Sequence, residues 1–123
     1  MSKKILVMDD DAGILEAFRA ILESADYNVI TESDPGKLLK QIKLTKPDLI
    51  ILDVLLSGGD GRIICKNLKA EEETKNIPVI IVSAHPSVNK SIREAGADDF
   101  LEKPFEMDVL LNKVVKLISK YKS

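Results

Sequence analysis

Short apolar runs alternate with amphipathic segments along the whole chain. The runs are rich in Val, Ile and Leu, as is typical of strands that are covered on both faces. Between them, apolar residues recur every three or four positions, as in helices that pack one face against a sheet. Strands that alternate with helices in this way favour a parallel sheet with helices on both sides. We therefore predict one doubly wound α/β domain over residues 1–123.

The pattern gives five strands and five helices. The strands are predicted at Lys4–Asp9, Val29–Thr31, Leu49–Asp53, Val79–Ser83 and Asp99–Lys103. The apolar helix faces are predicted as Ile14, Leu15, Phe18, Ile21 and Leu22; Leu38, Leu39 and Ile42; Ile63, Ile64 and Leu68; Val88 and Ile92; and Met107, Leu110, Leu111, Val114, Leu117 and Ile118. The predicted end signals are Asp11, Ser33 or Asp34, Pro35, Asp60 and Pro86 at helix starts, and Gly96 at a helix end. Five such units fit the flavodoxin-like strand order 2-1-3-4-5, with the second strand at the edge.

Composition narrows the classes of protein that are compatible with this fold. A chain of 123 residues suffices for one ordinary hydrophobic core. The net charge is −2, and the basic residues are scattered, so no nucleic-acid surface is indicated. The single cysteine, Cys65, lies in a helical pattern and is interpreted as a packing residue. No signal-peptide pattern and no apolar stretch of about 20 residues is present, so we expect a cytoplasmic protein that does not enter a membrane.

Polar side chains stand at the ends of four predicted strands. Asp9 and Asp10 follow the first strand, Asp53 ends the third, Ser83 ends the fourth, and Lys103 ends the fifth. In the order 2-1-3-4-5 these four strands are neighbours, and ligands of open α/β sheets bind at the carboxyl ends of the strands. The sequence therefore predicts one site at this edge.

The charges of this site indicate its ligand. Three carboxylates and one ammonium sum to −2, which is unfavourable in a partly buried place. A divalent cation would neutralise them, and oxygen ligands without thiol or imidazole select a hard ion such as Mg²⁺. A phosphoryl group would then be held by the metal, Lys103 and the Ser83 hydroxyl. Asp53 would be the nucleophile that forms an acyl phosphate.

Simpler interpretations of the same residues stay open. The carboxylates could serve only as helix caps or solvated turn charges, as we expect for Asp11. Ser83 could be a small residue at a strand end, and Lys103 an ordinary surface charge. His85, the lone histidine, cannot form a zinc site by itself, and it is interpreted as a loop or helix-cap residue in preference to a catalytic base.

The chain resembles the receiver domains of two-component response regulators over essentially its whole length. The matching motifs are Asp9-Asp10 after the first strand, Asp53 after the third, Asp60-Gly61 before the third helix, Ser83-Ala84 after the fourth strand and Lys103-Pro104-Phe105 after the fifth. Each motif is weak by itself, but their order and spacing together are specific.

The resemblance implies a role for each residue of the site. Asp53 would receive a phosphoryl group from the phosphohistidine of a sensor histidine kinase or a phosphotransfer protein. Asp10, Asp53 and the backbone carbonyl of Leu55 would bind Mg²⁺, with Asp9 helping through water. Lys103 would pair with the phosphoryl group or Asp53. Such a protein is not an enzyme on outside substrates, because it catalyses only its own phosphorylation and dephosphorylation.

The resemblance also implies a conformational switch and an output surface. Ser83 would turn toward the phosphoryl group, and Phe100 would follow it inward, although Phe100 could equally be a core residue. A cis peptide bond before Pro104 is common in the family. The face formed by the fourth helix, fifth strand and fifth helix would contact a downstream protein, or form a phosphorylation-dependent dimer. The output could also belong to a domain that this sequence lacks.

The loop after Asp53 departs from the common pattern of the family. Ser57, followed by Gly58-Gly59, stands where a proline is common, so we expect a more flexible loop there. Leu55 and His85 flank the site, and the resemblance implies that they tune the lifetime of the phosphoryl group.

Three alternative functions are known for related architectures. The first is a phosphorylation-independent interaction module with the same fold, which the complete acidic set and Lys103 disfavour. The second is a haloacid-dehalogenase-like phosphatase, which would need a second Asp where Leu55 stands. The third is flavin binding, which the acidic first loop, Asp10-Asp11-Ala12-Gly13, disfavours.

Overall fold

The computed structural model describes residues 2–121, and their central element is a five-stranded parallel sheet. Its strands are β1 Lys4–Met8, β2 Asn28–Glu32, β3 Leu49–Asp53, β6 Val79–Ser83 and β7 Asp99–Glu102. They lie in the order β2-β1-β3-β6-β7. This confirms the predicted order 2-1-3-4-5, since β6 and β7 are the fourth and fifth strands of this sheet, and β4 Leu55–Leu56 and β5 Gly59–Asp60 lie outside it.

The strands β4 Leu55–Leu56 and β5 Gly59–Asp60 form a small antiparallel hairpin. The sequence predicted a loop without strands here, so the hairpin corrects that prediction. Gly58 has a φ of +81°, which a glycine adopts at little cost and which closes the two-residue connection. The Ser57 amide is held from outside the hairpin by the Asp10 carboxylate, a contact that the local sequence does not reveal.

Five α-helices and two 3₁₀ turns connect the strands. The helices are α1 Ala12–Ser24, α2 Leu38–Thr45, α3 Gly61–Ala70, α4 Asn89–Glu94 and α5 Met107–Tyr121, and the 3₁₀ turns are Pro35–Lys37 and Pro86–Val88. Asp11 and Asp60 cap α1 and α3 as predicted, and Asp34 caps the first 3₁₀ turn. Pro86 begins a 3₁₀ turn and not α4, while Gly96, at a φ of +88°, follows the end of α4 as predicted.

Two hydrophobic clusters cover the two faces of the sheet. The cluster on the α1 and α5 side includes Val7, Phe18, Leu22, Ile51, Val82, Leu110 and Val114. The cluster on the α2, α3 and α4 side includes Met8, Leu38, Ile42, Leu52, Cys65, Leu68, Ile81 and Ile92. Every strand of the sheet sends alternate residues to each cluster, so its carboxyl-end residues are held on a rigid support.

Three residues that were predicted to face the core are exposed. Leu39, Ile63 and Met107 expose 50%, 61% and 51% of their surface. The buried positions of α3 are Gly61, Cys65 and Leu68, spaced by four and three residues, which turns Ile63 to the other side of the helix. Fewer of the apolar helix residues pack against the sheet than the sequence pattern predicted.

Helix α3 is tied to the sheet by a pairing of Lys69 with Asp98. The Lys69 Nζ lies 2.7 Å from Asp98 Oδ2 and donates to the carbonyl of Ile77 at 2.9 Å. Asp98 Oδ2 also accepts from the amide of Val79 at 2.8 Å. Nearby, burial raises the pKa of the Cys65 thiol to about 11, consistent with a packing role.

Within residues 2–121, no helix combines the length and the apolarity that crossing a bilayer requires.

Candidate functional site

The carboxyl ends of β1, β3 and β7 bring together two aspartates and a lysine. Lys103 Nζ lies 3.2 Å from Asp9 Oδ2 and 3.3 Å from Asp53 Oδ2. The side chains of Asp9, Asp53 and Lys103 expose only 4%, 15% and 20% of their surface. Lys103 directly follows β7 and its amide donates to the carbonyl of Ser83 at 2.8 Å. The Lys103–Pro104 peptide bond is cis.

The negative charges of Asp9 and Asp53 are only partly compensated by Lys103. Burial raises the pKa of Asp53 above its ordinary value, and the neighbouring charge of Asp9 adds to that rise. The ammonium of Lys103 opposes both effects without cancelling them. Two carboxylates share one lysine, so a further cation at this edge would be favoured.

Asp10 belongs to the same edge but points to a different partner. Its Oδ2 accepts a hydrogen bond from the amide of Ser57 at 2.5 Å. Asp9 Oδ1 accepts from the amide of Asp11 at 2.9 Å, which leaves Asp9 Oδ2 for Lys103. As these side chains stand, residues 2–121 contain no group of three His, Cys, Asp or Glu side chains placed to hold a metal.

The donors at this edge nevertheless fit a hard cation. Asp9, Asp10, Asp53 and the backbone carbonyl of Leu55 would offer oxygen ligands, which Mg²⁺ prefers. The raised pKa of Asp53 shows that the anionic form lacks compensation. For Asp10 to join a metal, its carboxylate would have to leave the Ser57 amide.

Ser83 closes the site on the β6 side. It is buried, its Oγ donates to the carbonyl of His85 at 3.1 Å, and the same atom accepts from the amide of His85 at 3.0 Å. The hydroxyl thus holds the first residues of the loop after β6. His85 itself is exposed and participates in this turn through its backbone.

Phe100, the predicted switch residue, is half-buried on β7. It packs at the border of the cluster on the α4 side. The Arg93 Cζ and the Lys113 Nζ lie 5.6 Å and 5.5 Å from the centre of its ring. These contacts fit a residue at the boundary of the core, and its role in switching stays a prediction.

A cavity of about 290 Å³ opens beside the phosphoacceptor candidate. Its lining includes Asp53, Leu55, Arg62, Ser83, His85 and Lys103. Most of these residues were predicted at the site, but Arg62 was not. Its only sequence signal was its place two residues after Asp60, and it was counted only among the scattered basic residues.

Gly61 explains how α3 can begin against Asp53. A Cβ at position 61 would overlap the carbonyl oxygen of Asp53 and lie 2.9 Å from its carbonyl carbon. It would also lie 3.2 Å from the Cα of Val54. The Gly61 amide donates to the carbonyl of Val54 at 2.8 Å. Glycine is therefore required here by close backbone approach, and the approach places the next residue, Arg62, beside the site.

Comparison with known proteins identifies the family. A sequence model of the response regulator receiver domain matches residues 5–115. The chain belongs to this family. Receiver domains serve two-component signal transduction, and phosphorylation-dependent switching is the function of the family. The expected fold and the resemblance to response regulators are confirmed.

Curated and solved relatives agree with this membership. Response regulator MprA of Mycobacterium tuberculosis strain H37Rv is 34% identical over 124 residues, covering 99% of this chain and 53% of MprA. The alkaline phosphatase synthesis transcriptional regulatory protein PhoP of Bacillus subtilis is 40% identical over 107 residues, covering 85% of this chain and 44% of PhoP. The crystal structure of a putative response regulator from Chloroflexus aurantiacus superposes with a TM-score of 0.92 at 33% identity, covering 97% of this chain and 99% of that chain.

The receiver spans about half of the length of the curated relatives it matches.

Proposed function

We propose that Asp53 is the phosphoacceptor of this receiver and that its donor is a phosphohistidine on a sensor histidine kinase or phosphotransfer protein. An Asp53 carboxylate oxygen attacks phosphorus, a P–O bond forms, and the P–N bond breaks with its electron pair left on the imidazole nitrogen. Water later hydrolyses the acyl phosphate to Asp53 and inorganic phosphate. The observation that carries this proposal is the contact of Lys103 with both Asp53 and Asp9, since Lys103 and Asp53 also line the cavity.

Mg²⁺ is the proposed cofactor. Asp10, Asp53 and the Leu55 carbonyl would hold the ion, with Asp9 acting through water. When bound, the ion supplies positive charge that offsets the carboxylates and the phosphoryl oxygens. The partly uncompensated charge at Asp53 supports this assignment.

Lys103 and Ser83 are the proposed partners of the phosphoryl group. Lys103 would pair with a phosphoryl oxygen, as its position between two carboxylates allows. The Ser83 hydroxyl would exchange His85 for a phosphoryl oxygen, which would change the loop after β6. Phe100 on the neighbouring strand would follow. A solved relative supports an activated state of this kind. It is the BeF3-activated N-terminal receiver domain of RstA from Klebsiella pneumoniae, which is 26% identical with a TM-score of 0.86, covering 94% of this chain and 98% of that chain.

The proposed output surface is formed by α4, β7 and α5. A shallow cavity of about 420 Å³ lies there beside Phe100, Val109 and Lys113. A downstream protein, an attached output domain or a second copy of the receiver would contact this face after phosphorylation. Residues 1–123 would form one receiver domain, which would act on no outside substrate, bind no nucleic acid directly and work in the cytoplasm.

The test is the intact mass after incubation with acetyl phosphate, with and without Mg²⁺. We expect one added phosphoryl group that requires Mg²⁺ and is lost in Asp53→Asn. The matched control is Asp26→Asn, since Asp26 is exposed, follows α1 and has a φ of +69°, which asparagine tolerates. An unmodified wild type that also fails to bind beryllofluoride would favour the phosphorylation-independent module, and a labelled Asp53→Asn would refute the assignment of Asp53.

A further inference from the structure

Arg62 is a permanently charged side chain on the wall of the phosphoacceptor cavity. It stands in the first turn of α3, directly after the glycine that packs against the Asp53 carbonyl. It lines the same 290 Å³ cavity as Asp53, Ser83 and Lys103. A guanidinium stays protonated at any physiological pH and binds phosphoryl oxygens through paired N–H donors. The cavity therefore has a second cation besides Lys103.

The hydrogen bonds of Arg62 join α3 to α4. Its Nη2 lies 2.7 Å from Asp60 Oδ2, and its Nε donates to Asp60 Oδ1 at 3.0 Å. Its Nη1 donates to Ser91 Oγ at 3.0 Å. Ser91 Oγ in turn donates to the carbonyl of Val88 at 2.8 Å. Arg62 thus bridges the cap of one helix to the first turn of the next.

One of these contacts is weak enough to be exchanged. Arg62 can keep its two bonds to Asp60 and give up only the single bond from Nη1 to the uncharged Ser91 hydroxyl, which is a weaker acceptor than a phosphoryl oxygen. A phosphoryl group carries a charge of roughly −1.5 to −2 and offers three strong acceptor oxygens. Asp60 would still cap α3 through the amide of Arg62 at 2.8 Å. The exchange therefore leaves the helix start intact.

The loop between Ser83 and Ser91 is held at both of its ends by bonds that a phosphoryl group would compete for. Ser83 Oγ bonds the backbone of His85 at the first end. The carbonyl of His85 accepts from the amide of Val88 at 3.2 Å. At the other end, the carbonyl of Val88 accepts from Ser91 Oγ. A change at Ser83 alone would free one end of this loop, and a change at Arg62 would remove the bond that ties the other end to α3.

We propose that Arg62 is a second phosphoryl-binding residue of this receiver, which exchanges Ser91 for an oxygen of the phosphoryl group on Asp53 and so releases α4 from α3. This inference rests on the proposed function of Asp53. It assigns to the receiver an anion site with two cations, Lys103 and Arg62, and a direct connection from the phosphoacceptor to α4, the helix on the output face.

The test is a titration with beryllofluoride in saturating Mg²⁺, followed by ¹⁹F NMR, on the wild type and three variants. Losing a charge-assisted hydrogen bond predicts that Arg62→Ala binds beryllofluoride roughly tenfold more weakly. Arg62→Lys keeps the charge without the paired donors and should lie between the two. Ser91→Ala removes the competing acceptor together with the bond from Ser91 Oγ to the Val88 carbonyl but keeps the guanidinium, so its affinity should equal or exceed that of the wild type. Thermal unfolding of each variant shows that it is folded.

A second measurement follows Ser91 itself. In the wild type, its ¹⁵N–¹H amide resonance should move when beryllofluoride is added, toward the position it already has in Arg62→Ala. Wild-type affinity in Arg62→Ala, or an equal loss in Ser91→Ala, would overturn the inference, because Arg62 would then act only by holding α4. A wild type that binds no beryllofluoride would instead overturn the proposed function of Asp53, so the two failures are distinguishable.

Discussion

Replacing Gly61 by alanine tests whether close backbone approach, and not helix propensity, fixes residue 61. In an ordinary helix this change would stabilise the protein by up to about 1 kcal/mol, because alanine restricts the unfolded chain. Here the new Cβ would overlap the Asp53 carbonyl oxygen and lie 2.9 Å from its carbon, whereas an ordinary contact begins near 3.4 Å. The start of α3 must therefore move away from β3.

The magnitude follows from what that movement breaks. Forcing an extra methyl into a packed place costs about 1–3 kcal/mol. Moving the helix start also weakens the 2.8 Å bond from the Gly61 amide to the Val54 carbonyl, which contributes about 1 kcal/mol. We expect Gly61→Ala to lower the free energy of unfolding by about 2–4 kcal/mol. It should also slow acetyl phosphate labelling of Asp53, because the displaced carbonyl belongs to the phosphoacceptor.

Urea denaturation followed by far-UV circular dichroism measures the change, and Gly59→Ala is the matched control. Gly59 lies in the adjacent hairpin, and a Cβ there would meet its nearest neighbours at 3.4 Å, an ordinary distance. The control should change stability by less than about 1 kcal/mol. A Gly61→Ala protein as stable as the wild type, with normal labelling, would refute the argument from close approach.

Three further predictions concern the charged residues. Because the folded pKa of Asp53 lies above its ordinary value of 3.8, wild-type stability should fall as the pH rises from about 3.8 through the folded pKa. Without Mg²⁺, Asp53→Asn should therefore be more stable than the wild type at pH 7 and lose that advantage in acid. Thermal unfolding of both proteins across pH measures this, and a difference in stability that does not change with pH would contradict it. Mg²⁺ at about 100 times its Kd should stabilise the wild type by about 2.7 kcal/mol, and a calorimetric scan of Asp10→Asn should show a much smaller gain. Lys103→Ala leaves Asp9 and Asp53 without their shared cation and should lower the free energy of unfolding in urea by about 2–3 kcal/mol. The variant should still accept the phosphoryl group but show smaller NMR shifts at Ser83, and full shifts would contradict a role of Lys103 in the switch.

Most of the fold was predictable because the local periodicity of apolar residues indicates each strand and helix. Runs such as Leu49–Asp53 are apolar throughout, and this is the signature of a strand with helices on both faces. Right-handed crossovers then leave few possible strand orders, so the order itself could be inferred. The meeting of Asp9, Asp53 and Lys103 follows from that order, since neighbouring parallel strands end at the same edge.

Other features depended on contacts between segments that are distant in sequence. The hairpin after Asp53 was missed because two-residue strands have no periodicity to detect. The exposure of Ile63 depends on the rotation of α3 against the sheet, which the close packing of Gly61 on Asp53 fixes. Asp10 was expected beside Asp53, but its carboxylate lies against the amide of Ser57, 47 residues away.

The sequence by itself determined the class of fold, the edge that carries the site and the chemistry of its donors, because each of these follows from patterns within a few residues and from the identity of the side chains. The tertiary structure alone decided which donors pair with which. The sharing of Lys103 by two carboxylates and the bridge from Arg62 to Ser91 are set by how strands and helices cross. Hydrogen bonds form or fail over a few tenths of an ångström, and such distances are fixed only when the whole core has packed.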